Sequence, residues 1–171
     1  MELEEYSIQR LVLDKTITLD IPTAWIGQEV NISITPAYLV ESKSLVASFE
    51  ELTQELWWTS ETDARWTVSY QGQLDTQEAL EVWVVKKLGL PSPLEQTSID
   101  FFFKHAMIVS NAANADQVRA ADHYRKVYDL CVASFEKTLV LRSGVVEKAI
   151  LVVGITAKKS VIVLSTTAVE T

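Results

Sequence analysis

An α+β fold is predicted for this chain, and three observations carry the prediction. Short segments near the start alternate apolar and polar residues, as half-buried strands do. The middle holds stretches with apolar residues at helical spacing and capping residues ahead of them. The last third is a series of apolar, β-branched runs without clean alternation, which reads as strands buried on both faces. The architecture expected is a mostly antiparallel sheet from N- and C-terminal strands, with three to four helices packed on one side. The second face of the C-terminal strands then needs either a further layer or a second copy of the protein. At 171 residues the chain has the size of a single α+β domain over 1–171, with "LGLPSP" marking a joint near residues 89–93.

Taken in order, "YSIQRLVL" and "TITLDI" read as strands flanking a turn at Asp14-Lys15. "EVNISI" alternates Val30, Ile32 and Ile34 against polar neighbours, with "PTAWIG" as the link before it. Leu45, Phe49, Leu52 and Leu56 share a helical face. Ser48 and Glu51 suggest a capping box, and the helix is expected to run to about Trp57. "RWTVSY" alternates Trp66, Val68 and Tyr70 as a strand. A second helix is expected from Asp75, capped with Glu78 and stopped by Gly89. "SIDFFFKHAMIV" favours a helix, and the longest helix is placed from Asn114 through Phe135. "TLVLR", "VEKAILVVGI" and "SVIVLSTTAV" close the chain as strands.

Composition narrows the function classes. A net charge of −8 favours solubility and disfavours nucleic acid as a partner. The single cysteine, Cys131, cannot form an internal disulfide, which suits a reducing cytoplasmic setting. It lies on the apolar stripe of its helix, so an inert core thiol is expected. The start "MELEEYS" lacks the apolar run of a signal peptide. Ala149 to Val169 is long enough for a membrane span, but Lys158 and Lys159 interrupt it, and a hairpin with a charged turn fits better.

No dinucleotide, phosphate-loop, nucleophile-elbow or zinc-protease motif occurs. The two histidines, His105 and His123, share no metal-ligand spacing, so neither metal nor cofactor is expected. Asp100 and His105 flank the run Phe101-Phe102-Phe103 and make an alternative pocket acid/base pair. Their five-residue separation is poor for a single helix face.

The stretch Ile17 to Pro36, "ITLDIPTAWIGQEVNISITP", resembles the hairpin of AbrB-like and MazE-like antitoxins and transition regulators. Pro22, Trp25, Gly27, Val30 and Ile32 carry the resemblance. It implies an interleaved dimeric barrel and DNA binding. The charge departs from that pattern: residues 1–36 hold Glu2, Glu4, Glu5, Asp14, Asp20 and Glu29 against Arg10 and Lys15, a poor DNA face.

"ELWWTSETDARWTV" holds three of the five tryptophans. Trp66 is assigned to the core. One of Trp57 and Trp58 is assigned to the rim, where with Arg65 it would begin a ligand or partner surface. The leading reading is a non-catalytic interaction or regulatory protein whose partner is itself or another protein. A DNA-binding antitoxin and an enzyme with an unmarked pocket are the alternatives.

Overall fold

The computed structural model describes residues 8–12, 18–22 and 36–171. The chain divides into two compact units, Met1–Glu41 and Ser42–Thr171. In the first, β1 (Ile8–Val12) and β2 (Thr18–Pro22) pair antiparallel, with Ile8 opposite Pro22 and Val12 opposite Thr18. These are the two strands expected on either side of Asp14-Lys15. The expected strand "EVNISI" and the link "PTAWIG" lie outside the described residues.

Helix α1 (Ala37–Thr53) begins eleven residues before Ser48, so the expected capping box is wrong. The carbonyl of Pro36 accepts from the amides of Leu39 and Val40 and closes the first turn. Ser48 sits inside the helix and donates its hydroxyl to the Ser44 carbonyl at 3.0 Å, which lets serine persist mid-helix. The helix also stops short of Trp57. Buried Thr53 donates its hydroxyl to the Phe49 carbonyl, the Leu56 amide turns back onto the Thr53 carbonyl, and the chain becomes a strand.

The second unit continues with β3 (Trp57–Thr59) and β4 (Asp63–Arg65), which form a hairpin. Then come β5 (Thr67–Gln73), α2 (Leu80–Leu88), β6 (Leu94–Thr97), α3 (Ile99–Ala106) and α4 (Ala115–Ser134). Strands β7 (Lys137–Ser143), β8 (Glu147–Ile155) and β9 (Ser160–Val169) follow. Five strands form one antiparallel sheet in the order β5-β9-β8-β7-β6. The "LGLPSP" stretch leads from α2 into the edge strand β6.

Alternation in register explains why β7, β8 and β9 are apolar throughout. Val140, Ile150, Val152, Ile162 and Leu164 face one way and pack with Phe49, Phe103, Val127 and Cys131 of α1, α3 and α4. Leu139, Leu141, Leu151, Val153, Val161 and Val163 face the other way and pack with Leu80 and Val84 of α2. The α+β class holds, but the helices lie on both faces rather than one. The further layer that two-sided strands require is α2, from the same chain.

Helix α2 starts at Leu80, five residues later than expected. The Thr76 hydroxyl takes the Glu78 amide, and the Glu78 carboxylate reaches Lys86, so the local bonds favour a turn over a capping box. Its end is as expected: Gly89 takes the left-handed conformation, φ 60° and ψ 44°. The cap of α4 is also as expected, with the Asn114 side chain accepting from the amides of Asp116 and Gln117. Cys131 is fully buried, and burial pushes its thiol up to about 12, as an inert core thiol requires. Strands β8 and β9 join at a tight turn with Lys159 at φ 67°, the expected charged hairpin. Among the described residues no helix is long and apolar enough to cross a membrane.

Candidate functional site

The three tryptophans of residues 55–68 are distributed by the β3–β4 hairpin. Alternation on a strand sends Trp58 inward and Trp57 outward. Trp58 stacks on Phe102 with centroids 5.0 Å apart and meets Trp66 edge-on at 6.1 Å. Trp66 is buried, as expected. Its indole N–H donates to the Tyr124 hydroxyl at 3.1 Å, and that hydroxyl donates to the Trp57 carbonyl at 3.0 Å. Helix α4 thereby fixes the hairpin to the core.

Burial raises the Tyr124 phenol to about 12, against the opposing effect of the Trp66 hydrogen bond. The raised value stabilises the folded state fully below pH 10 and ceases to do so as the pH climbs toward 12. Replacing Tyr124 with Phe strands the Trp66 N–H and the Trp57 carbonyl. A loss of about 1–3 kcal/mol is expected in urea denaturation at neutral pH, the cost of leaving such groups unpaired. The variant should also show less of the alkaline loss of stability.

The outward Trp57 is 46% exposed and carries the Arg65 guanidinium 4.7 Å above its ring. Trp57 and Arg65 are direct cross-strand partners, so the hairpin register itself makes the stack.

The hairpin tip, Ser60 to Thr62, is bound to the end of β9. The Glu61 amide donates to the Val169 carbonyl at 3.2 Å, and the Val169 amide donates to the Ser60 hydroxyl at 3.0 Å. The Glu61 carboxylate accepts from the Thr171 amide at 2.9 Å and from its hydroxyl at 2.5 Å. The hydroxyl bond, then the amide bond, hold Glu61 below its ordinary value, against desolvation and the neighbouring Glu170. Glu170 is itself held low, first by its hydrogen bond with Lys148 and then by Arg142, which also donates to it.

The hairpin is therefore a ridge between two concavities. On one side lies a cleft of about 530 Å³ lined by Trp58, Glu61, Glu95, His105, Arg142 and Glu170, among others. On the other lies a groove of about 510 Å³ between the hairpin's outer face and the start of α4, lined by Trp57, Asp63, Asp116 and His123 among others. Asp100 and His105 do not form a pair. Tyr128 donates to the Asp100 carboxylate at 2.5 Å, while His105 turns its Nδ1 to the Phe101 carbonyl at 3.0 Å. His105 lines the cleft and Asp100 does not. Among the described residues no group of three or more His, Cys, Asp and Glu is arranged to hold a metal ion. Sequence reasoning treated "TSETDA" only as a polar turn and missed Glu61, whose partner lies 110 residues away.

Fold and surface define the class: an antiparallel α+β module whose β3–β4 hairpin carries Glu61 and Asp63 and is braced by buried aromatics. The chain belongs to the nuclease A inhibitor-like protein family (NuiA), whose family model matches residues 43–171. This is an inhibitor family that acts by protein interaction. No curated protein matches the chain. The AbrB-like and MazE-like resemblance is overturned, because the family that the chain matches is this inhibitor-like one and not a hairpin antitoxin or transition regulator. That resemblance rested on five positions of strand-turn-strand pattern, which unrelated hairpins share. In the described part, Thr18–Pro22 pairs backward with Ile8–Val12.

Proposed function

We propose that this chain binds and inhibits a nuclease, with the β3–β4 ridge as the contact element. The family match over residues 43–171 carries the reading. The chemistry of the ridge supports it. A nuclease cleft is built to receive a polyanion, so its surface is cationic. A protein of net charge −8 that presents Glu61 on a braced tip offers a carboxylate where a phosphate would sit. Glu61 held below its ordinary value stays ionised at neutral pH. The single free, buried cysteine suits a cytoplasmic setting for the complex. Self-association was expected from a sheet face that α2 covers, and it has no part in this reading.

The test is a DNA-hydrolysis assay with nuclease A and increasing amounts of the purified protein. Suppression of cleavage that saturates at one inhibitor per enzyme is the expected result. Undiminished cleavage at a micromolar excess would overturn the reading.

A further inference from the structure

We propose that the groove between the outer face of the hairpin and the start of α4 is a second contact site, which receives an arginine- or lysine-bearing segment of the partner. The proposal rests on the reading that the chain binds a nuclease, and it names a site separate from the Glu61 tip. Three observations carry it.

First, the groove is concave and of side-chain size, about 510 Å³. Second, its charge is one-sided. Glu55, Asp63 and Asp116 line it against Arg119, which is already engaged with Asp116 at 3.4 Å, and His123, whose Nδ1 is turned to the Arg119 carbonyl at 2.9 Å. Two of these carboxylates, Glu55 and Asp63, make no ion pair within the described residues. A cationic side chain is the occupant that this charge complements. Third, the groove has an aromatic wall. Trp57 is half exposed there, and Arg65, which stacks on its ring, does not line the groove. Exposed tryptophan beside unpaired carboxylates is the combination that binds guanidinium groups by stacking and by hydrogen bonding together. The backbone that carries the wall is anchored, because the Trp57 carbonyl accepts from the Tyr124 hydroxyl. Tryptophan and arginine are among the residues most enriched where binding energy concentrates.

The experiment has two arms. In the first, nuclease A binding is measured by biolayer interferometry over a salt series, for the wild type and for the double variant D63N/D116N. Both carboxylates are exposed, so the variant should fold, which circular dichroism checks. The expected result is on the order of tenfold weaker binding at low salt and a shallower salt dependence. A double variant that binds as tightly as the wild type overturns the groove while leaving the inhibitor reading in place. In the second arm, a short peptide alternating arginine and glycine is titrated into the free protein and followed by amide and indole NMR shifts. Saturating shifts confined to Trp57, Asp63 and His123 support the groove. Shifts spread evenly over the acidic surface overturn it. If the wild type fails to bind nuclease A, the inhibitor reading fails, and the peptide arm still decides the groove.

Discussion

Replacing Gly154 with alanine should destabilise the folded protein by about 3 kcal/mol, the upper part of the usual range for overpacking a core. Gly154 is the next-to-last residue of β8, opposite Thr138 on β7 and Ile162 on β9. A Cβ placed there would come within 2.1–2.3 Å of three ring atoms of Phe135. The ring cannot swing away cheaply, because its other neighbour is Phe49, stacked at 5.7 Å and fully buried. Phe135 is also the residue at which α4 turns into β7, with its amide held by the Cys131 carbonyl. The collision would therefore be passed to the joint between helix and sheet. Thermal melting should fall by several degrees, at roughly 2–4 °C per kcal/mol for a chain of this size. A Gly154→Ala variant that melts with the wild type would show that Phe135 has room the packing does not suggest.

The same joint illustrates what the sequence made legible. The limits of α4 could be read because a cap is a local device: Asn114 bonds to amides two and three residues ahead. Strands β7, β8 and β9 could be read because runs such as "AILVVGI" bury both faces. Which helix covers which face could not be read. That depends on register: Leu139, Leu141, Val153 and Val163 turn toward α2 while their neighbours turn away. A shift of one residue in pairing would exchange the two sets.

The hairpin was hidden for a different reason. Strands β3 and β4 have three residues each, too few for any period to show. The apolar spacing of Leu52 and Leu56 therefore runs on toward Trp57 in the sequence, and the Thr53 back-bond that ends the helix has no sequence pattern. Trp66 could be assigned to the core from its alternation with Val68 and Tyr70. The outward turn of Trp57 could not be assigned until the strand direction was known. The Glu61 site was least legible of all, since it is assembled by pairing residues 61 and 171.

Reversing the charge at that site, Glu61→Lys, should separate binding from folding. Glu61 is fully exposed, so its replacement removes surface hydrogen bonds to Thr171 and little else, and the melting temperature should stay close to that of the wild type. At the interface the effect differs in kind. A lysine on the braced tip would place like charge against a surface built to attract phosphates, a mismatch that costs several kcal/mol where charges are desolvated. Affinity for nuclease A should then fall by on the order of 10²-fold or more, and Glu61→Gln by less, because the amide removes attraction without adding repulsion. Acidity offers an independent check on the same group. The Thr171 bonds keep Glu61 ionised below the ordinary carboxylate range, so wild-type binding should persist through that range as the pH falls and weaken only below it. Isothermal titration over a pH series, with the nuclease's own folding followed in parallel, reads this directly. If Glu61→Lys inhibits as well as the wild type, the ridge tip is not the element that enters the nuclease cleft.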